Sequence, residues 1–184
     1  AEWFKDENVP PHEIKDTRFL TQKIREQGTM LGKIISKKEV NNLDLSFPLL
    51  AQEFIDSSGG ITNLVKNFHD LRLVFVNEKL IYSFIRVPAQ NSYLANLAQG
   101  GTMYYVPVSK LPKKIFPIIK DVQEAFSFYA PKIYSIDFIF DRRQNPWIVE
   151  FNTMPGFFFF SESHKKKQRR LYLEIIKVLE QEAA

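Results

Sequence analysis

Apolar and polar residues follow one another along this chain in two different rhythms. Short apolar runs bounded by turn residues are typical of strands, whereas apolar residues repeated every three or four positions are typical of helices. The predicted strands are 71–76, 80–86, 102–108, 135–140 and one beginning at 148, with a further strand-like run after Pro48. The predicted helices extend from between 113 and 117 to Tyr129, and from about His164 to Glu182. This order of elements indicates an α+β fold with a mainly antiparallel sheet.

Oxygen-bearing side chains interrupt the last two predicted strands. Asp137 lies in the first, Glu150 and Asn152 lie in the second, and the turn-like segment 141–146 joins them. Side chains alternate between the faces of a sheet, so a symmetric turn would place Asp137 opposite Glu150, with Asn152 diagonal on the same face. Facing carboxylates repel each other, and a divalent cation such as Mg²⁺ would remove that cost. An exposed hairpin face with unrelated polar residues is the alternative.

A second hairpin carries a similar arrangement. A symmetric three-residue turn at 77–79 would place Asp70 opposite Arg86, with Arg72 on the same face two residues along from Asp70. The planar guanidinium group is well shaped to clamp a phosphate or a carboxylate. A cross-strand ion pair, which contributes little when exposed, explains the same residues, and the sequence leaves both interpretations open.

Two weaker signals lie nearer the start of the chain. The run that ends before the Gly59-Gly60 loop could offer backbone groups and apolar contacts to an adenine ring, unless it is an ordinary strand end. Its residues are Gln52, Glu53, Phe54 and Ile55. The glycine-containing segment 28–32 could cradle phosphates, with Lys23 in reach, although it lacks the Gly-Lys-Ser/Thr of a Walker A motif. Both segments are candidates for nucleotide contacts.

Composition narrows the class of protein without selecting one function. The chain of 184 residues has no cysteine, which excludes disulfides and thiolate metal sites. No apolar run approaches ~20 residues, so a cytoplasmic protein without a membrane span is expected. The net charge of +4 suits nucleotide phosphates, nucleic acid or acidic substrates equally. The basic run 165–170 is either a solvated helix start or a patch for an anionic partner, and His69 is expected near a substrate or at the surface.

Taken in chain order, several short segments resemble the ATP-grasp fold, and within it the branch of ribosomal-protein glutamate ligases and bacterial glutathione synthetases. The segments are Gln52 to Ile55, His69 to Arg72, Arg86, Ala95 to Gly101, Ile136-Asp137, Glu150 to Asn152 and Pro155-Gly156. The resemblance covers about residues 50–156, and its order and spacing are more specific than any one of its segments.

The resemblance implies a fold and an activity. The fold has two α+β lobes with ATP between them: residues 1–55 as a partial small lobe with hinge, and residues 56–184 as the large lobe with the metal site. The usual N-terminal substrate domain is expected to be absent. The implied activity is ATP-dependent ligation, in which a carboxylate attacks the γ-phosphate and an amine displaces phosphate from the acylphosphate. The implied partners are small-molecule or peptide carboxylates and amines; nucleic acid is not expected, and a homo-oligomer stays open.

The resemblance also assigns roles to individual residues. The Mg²⁺ ligands, with Mn²⁺ as an alternative ion, would be Asp137, Glu150 and Asn152. The ATP contacts would be Lys23, Gln52, Glu53, Phe54, Ile55, Asp70 and Asn96. Arg86 would contact the transferring phosphate, with Arg72 as the second catalytic arginine. These roles suit phosphoryl transfer, which depends on positioning and charge neutralisation rather than on a covalent nucleophile.

The chain departs from the family pattern at three positions. Leu94 and Gln99 stand where the family often has arginine, and Ile24 follows Lys23 where a proline is usual. These differences concern phosphate handling more than metal or nucleotide binding. Two other functions therefore stay open, namely a nucleotide-binding regulatory module without turnover and a small-molecule kinase on the same fold.

Overall fold

The computed structural model describes residues 54–90, 92, 95, 97, 100–157, 159 and 162–182. The chain divides into two compact units, residues 1–54 and 55–184, and the description below concerns the second unit. The predicted identity of the two parts as a small and a large lobe stays a prediction. Among the described helices, none is long and apolar enough to cross a membrane.

Five strands form one sheet in which every neighbouring pair is antiparallel. The strands are β1 (Asp70–Val76), β2 (Lys79–Val87), β3 (Thr102–Val106), β4 (Ile133–Phe140) and β5 (Pro146–Asn152). Their order across the sheet is β3-β2-β1-β4-β5, so β1 lies at the centre and β5 at an edge. In the described part of the chain the α-helices are α1 (Ile115–Ala125) and α2 (Lys165–Glu182). The predicted α+β fold with an antiparallel sheet is confirmed.

Each face of the sheet packs against one of the helices. On one face, Ile115 and Ile119 of α1 join buried strand residues such as Leu73 and Ile136. On the other face, Leu171 of α2 packs with Val74 and Phe84 of the strands, together with Tyr82 and Val178. The central strands therefore carry apolar side chains on both faces of the sheet, which explains why their sequences are nearly continuously apolar. Outside the residues that pack with α2, this second face carries the polar residues described below.

Helix α1 ends earlier than its apolar spacing predicts. The helix was expected to reach Tyr129, but Phe126 leaves the helical conformation at φ −107° and ψ 18°, and turns follow. The spacing continues past the helix because Phe126 still packs inward, with its ring 4.7 Å from that of Phe151. Periodic apolar residues indicate which side chains are buried, and here the buried positions continue past the end of the helix. Pro117 lies in the first turn of α1, as expected of a residue without an N–H group.

The β1–β2 hairpin reaches the predicted register by a different route. Its turn is one residue shorter than expected, because Val76 pairs with Lys79. A bulge between Val74 and Phe75 then leaves Ile81 without a direct partner on β1 and shifts the pairing by one residue. Beyond the bulge Asp70 faces Arg86, as predicted.

The β4–β5 hairpin repeats this construction. Phe140 pairs with Pro146, which is one residue short of the symmetric turn that the sequence suggests. A bulge at the step between Asp137 and Phe138 leaves Val149 as the extra residue of β5. Asp137 therefore faces Glu150, and the predicted cross-strand pair is confirmed although the predicted turn was wrong by one residue.

Candidate functional site

Six polar side chains from four strands are joined by hydrogen bonds on the face of the sheet that packs with α2, outside the apolar cluster of that helix. We call them the charged cluster: Asp70, Arg72, Arg86, Asp137, Glu150 and Asn152. The two predicted hairpin arrangements were inferred separately, and the structure brings them together. They meet because β1 pairs with β4, which sets Arg72 directly opposite Asp137.

Asp137 is the centre of the charged cluster. Its side chain is fully buried and contacts both arginines. Its Oδ1 accepts a hydrogen bond from Nε of Arg72 at 2.7 Å, and its Oδ2 accepts from Nη2 of Arg72 and, at 2.7 Å, from Nη2 of Arg86. A buried carboxylate must be paired in this way, since an isolated buried charge is costly. Asp137 is therefore held in one orientation by two guanidinium groups.

Asp70 and Arg86 form a two-bond pair across the β1–β2 hairpin. Nε and Nη2 of Arg86 donate to the two Asp70 oxygens at 2.9 and 2.6 Å. Burial, and then repulsion from Asp137, raises the pKa of Asp70 to about 6. The cluster contains three carboxylates and two arginines, so one negative charge is not balanced within it. This excess of negative charge favours an additional cation at the site.

Glu150 and Asn152 form the outer side of the charged cluster, on the edge strand β5. The Glu150 side chain is 50% exposed and accepts from Nη2 of Arg72 at 3.3 Å. The Asn152 amide donates to Glu150 at 3.2 Å, and its oxygen accepts from the backbone N–H of Met154 at 2.8 Å. Burial, and then the charge of Asp137, raises the pKa of Glu150. These two side chains face solvent, where a ligand can approach them.

The repulsion expected between Asp137 and Glu150 is reduced by Arg72, whose guanidinium group contacts both carboxylates. The facing carboxylates therefore do not require a metal ion in order to fold. No group of three or more His, Cys, Asp or Glu side chains in the described part of the chain is arranged to hold a metal ion. A metal site here would need Asn152 and oxygens from a bound nucleotide to complete its ligands.

The residues present fit a hard cation such as Mg²⁺ by their donor chemistry. Asp137 Oδ1 accepts one hydrogen bond among the described residues, so one of its lone pairs stays available. The neighbouring Ser135 supplies a second sign: it is fully buried, pairs with Asn152, and its hydroxyl has no hydrogen-bond partner among the described residues. A bound group or its water would satisfy that hydroxyl. Sequence spacing could have found Ser135, since it lies two residues before Asp137 on the same face.

His69 is a structural residue that the sequence did not reveal. It was expected near a substrate or at the surface, but it is only 2% exposed. Its Nε2 accepts from the backbone N–H of Phe140 at 3.1 Å, and its Nδ1 lies 3.0 Å from the carbonyl oxygen of Asn67. These contacts fix a neutral imidazole, and burial lowers its pKa. His69 thus joins the start of β1 to the end of β4, behind the charged cluster.

Of the remaining predicted contacts, the structure describes Phe54 and Ile55. Phe54 is 47% exposed and Ile55 is partly buried. The other predicted nucleotide contacts lie outside the described residues: Lys23, Gln52, Glu53 and Asn96. The metal and arginine part of the predicted site is therefore the part whose geometry can be described.

Comparison with known proteins relates this geometry to a family. The sequence matches the model of the RimK-like ATP-grasp domain over residues 24–177. A stretch of 46 residues, 25% of this chain and 2% of the relative, is 42% identical to the multifunctional protein ura1 of Schizosaccharomyces pombe. The chain thus spans a very small part of that curated relative.

Similar solved structures include a macrocyclase and a ligase. They include the macrocyclase MdnC of Microcystis aeruginosa bound with its precursor peptide MdnA (17% identity, TM-score 0.39, 59% of this chain and 33% of that chain). They also include the D-alanine–D-alanine ligase of Bacillus anthracis complexed with ATP (15% identity, TM-score 0.40, 62% of this chain and 38% of that chain). The chain spans about a third of each. The assignment rests on the family model, which matches most of the sequence: the chain belongs to the RimK-like ATP-grasp family.

Proposed function

We propose that this chain forms the magnesium- and ATP-binding part of a ligase that joins a carboxylate to an amine. The observation that carries the proposal is the charged cluster, in which three oxygen ligands and two arginines share one face of the sheet. Phosphoryl transfer needs such groups, because catalysis there is mainly positioning and electrostatic stabilisation. Membership of the family supports ATP as the phosphoryl donor.

The two arginines have different tasks in this proposal. Arg86 is the better placed to contact the transferring phosphoryl group, since its side chain is 14% exposed and that of Arg72 is 5% exposed. Arg72 donates to both Asp137 and Glu150 and orients the two carboxylates. Asp70 holds Arg86 by two hydrogen bonds, so its contribution near the nucleotide is exerted through that arginine.

Magnesium, or manganese in its place, would be held by Asp137, Glu150 and Asn152. When bound, the ion neutralises charge that develops on the phosphate oxygens. The proposed contacts of the nucleotide outside the charged cluster are Lys23, Gln52, Glu53, Phe54, Ile55 and Asn96. Because the nucleotide is anionic and the described carboxylates carry excess negative charge, the arginines and the ion are needed together.

The proposed reaction transfers one phosphoryl group and forms one amide bond. An oxygen of the substrate carboxylate attacks the γ-phosphorus, and the bond from that phosphorus to ADP breaks. The amine nitrogen then attacks the acyl carbon, phosphate leaves with the electrons of the broken carbon–oxygen bond, and the amine loses a proton. The products are an amide, ADP and phosphate. The substrates would be small-molecule or peptide carboxylates and amines.

Calorimetric titration of the chain with ATP and Mg²⁺ tests the metal assignment. Glu150→Gln should weaken Mg²⁺–ATP binding roughly tenfold or more, because it removes an anionic ligand and keeps the size of the side chain. Affinity for ATP in the presence of a chelator should change much less. Glu124→Gln is the matched control, since Glu124 is an exposed carboxylate on α1 that pairs with Lys120. Equal Mg²⁺–ATP affinity in Glu150→Gln and the wild type would refute the metal assignment.

Release of ADP and phosphate tests the reaction class. A ligase releases both at full rate only when a carboxylate and an amine are present together. A kinase on the same fold would convert one acceptor into a stable phosphorylated product. A regulatory module would bind Mg²⁺–ATP without releasing either product. A panel of amino acids, peptides and other carboxylates, assayed singly and in pairs, separates these three outcomes.

A further inference from the structure

Helix α2 presents an apolar stripe to solvent beside the face that it packs on the sheet. Leu171 and Val178 are buried in the sheet-facing cluster. Tyr172, Ile176 and Leu179, by contrast, are 48%, 50% and 55% exposed. Their spacing of four and three residues puts them on one side of the helix, as in helices that pack against a partner helix. We call these three residues the α2 seam.

The charges along α2 are arranged against its own dipole. Its N-terminal end is basic, with Lys165, Lys166, Lys167, Arg169 and Arg170. The first turn has no acidic residue and the last turn has no basic residue, while Glu180 is exposed near the C-terminal end. Cations at a helix N-terminus and carboxylates at a C-terminus are both unfavourable. Within the described chain Glu162 pairs with Lys165, but Arg169 and Glu180 have no ion-pair partner.

We propose that α2 packs antiparallel against α2 of a second copy of this chain. A two-fold axis near Ile176 would bury the α2 seam of each copy against that of the other, because such an interface uses the same patch twice. The basic end of each helix would then lie beside the acidic end of its partner, which offsets the unfavourable charge at both ends.

Arg169 and Glu180 carry the charge argument most directly. They are 11 positions apart, or about 16 Å along a helix, so they cannot pair within one copy. In an antiparallel pair of helices crossing near Ile176, Arg169 of one copy approaches Glu180 of the other. The charges of α2 thus complement those of an antiparallel copy of α2, which favours a second copy of this chain as the partner of the α2 seam.

An anionic membrane surface fits the same face less well. Glu180 is exposed, and it lies one helical turn from Ile176 and next to Leu179. A lipid surface rich in phosphatidylserine would bring its negative charge against that carboxylate. The second copy instead offers Arg169 at this position, so the observations favour self-association over membrane binding.

Sedimentation equilibrium of the full chain over a range of concentrations tests the proposal. The wild type should form dimers, and Ile176→Glu should weaken dimer formation at least tenfold, since it places a charge in the middle of the α2 seam. Phe128→Glu is the control, because Phe128 is 73% exposed, lies outside α2 and should leave the dimer unchanged. Thermal unfolding of each variant shows whether it is folded.

A charge exchange separates the interface from a defect of folding. Arg169→Glu should weaken the dimer, and the double variant Arg169→Glu/Glu180→Arg should restore it, which a merely structural role would not produce. A wild type that stays monomeric overturns the proposal. An unchanged dimer in Ile176→Glu would also overturn it. A loss of stability in Ile176→Glu without any dimer in the wild type would overturn it too, because the α2 seam would then be covered by the chain itself. Pelleting of the monomer with phosphatidylserine vesicles would assign the face to a membrane and also overturn it.

Discussion

The β1–β2 and β4–β5 hairpins are built alike but lie differently in the sheet. Each has a shorter turn than its sequence suggests, and each has one bulge that restores the pairing of its charged residues. The β1–β2 hairpin lies inside the sheet, and its Asp70 and Arg72 are buried. Strand β5 lies at the edge, and its Glu150 is half-exposed.

This difference indicates that the inner strands mainly hold the site in place, whereas the edge strand provides the groups that can bind a ligand. The inner strands keep their arginines and carboxylates in a buried network, where each group is fixed by its partners. The edge strand supplies groups that solvent, and therefore a ligand, can reach. Substitutions in the inner strands should act first on stability, whereas substitutions on the edge strand should act first on binding.

The largest expected effect is that of Asp137→Asn. The substitution removes the buried charge that pairs with the buried Arg72 and the partly buried Arg86, so the free energy of unfolding should fall by about 3 kcal/mol or more. Glu150→Gln removes the charge of a half-exposed carboxylate and should change it by less than about 1 kcal/mol. Urea unfolding of both variants measures the two values. Equal losses would show that the edge strand is as much a part of the structural network as β4.

A smaller, pH-dependent effect is expected at Asp70. Its pKa of about 6 in the folded protein lies above the ordinary 3.8, mainly because of burial. The stability that Asp70 contributes is therefore complete below about pH 4 and is lost as the pH rises through about 6. Relative to Asp70→Asn, the wild type should lose on the order of 3 kcal/mol of unfolding free energy between pH 4 and 7.

Urea unfolding across that pH range measures the difference between the two Asp70 proteins. Asp121→Asn, at an exposed position on α1, is the control. If the free energies of unfolding of the wild type and Asp70→Asn depend on pH in the same way, the prediction is wrong. The two hydrogen bonds from Arg86 would then stabilise the charged form of Asp70 enough to offset the effect of burial.

Sequence spacing predicted the local pairing of the charged residues in both hairpins. Asp70 opposite Arg86 and Asp137 opposite Glu150 were predicted because side chains alternate along a strand. The turn lengths were wrong by one residue in both hairpins, and the bulges that correct them have no sequence signal comparable to a glycine or proline. The predicted register is correct because, in each hairpin, the shorter turn and the bulge shift the pairing by one residue in opposite directions.

The contacts between the hairpins could not be predicted from spacing. Arg72 faces Asp137 only because β1 and β4 are neighbours, and more than 60 residues separate these two residues in the chain. The order of strands in a sheet is decided by packing of the whole domain rather than by local pattern. His69 illustrates the same limit, since its partner Phe140 also lies on β4 and only the fold makes it a buried residue.

His69→Ala tests the link between the two hairpins. The substitution leaves the buried N–H of Phe140 without its acceptor, so the free energy of unfolding should fall by about 1–3 kcal/mol at pH 7.5. Burial lowers the pKa of His69, so its stabilising contribution is present above about pH 6.5 and is lost as the pH falls below that value. The difference between wild type and variant in urea unfolding should therefore shrink toward pH 5. A constant difference would contradict the neutral, accepting imidazole.

The smallest expected effect concerns the β1–β2 turn, where the backbone conformation and the side-chain hydrogen bond of one residue can be tested separately. Asn77 has a φ of +48°, and its side-chain oxygen accepts from the backbone N–H of Lys132 at 2.9 Å, just before β4. Asn77→Ala should lose about 1 kcal/mol, because alanine is disfavoured at this φ, while Asn77→Gly should lose less because glycine accepts it. Thermal unfolding of the two variants compares the losses. If glycine costs as much as alanine, the turn is held by its hydrogen bond to Lys132, and the β1–β2 turn is joined to the start of β4 in addition to the links through Arg72 and His69.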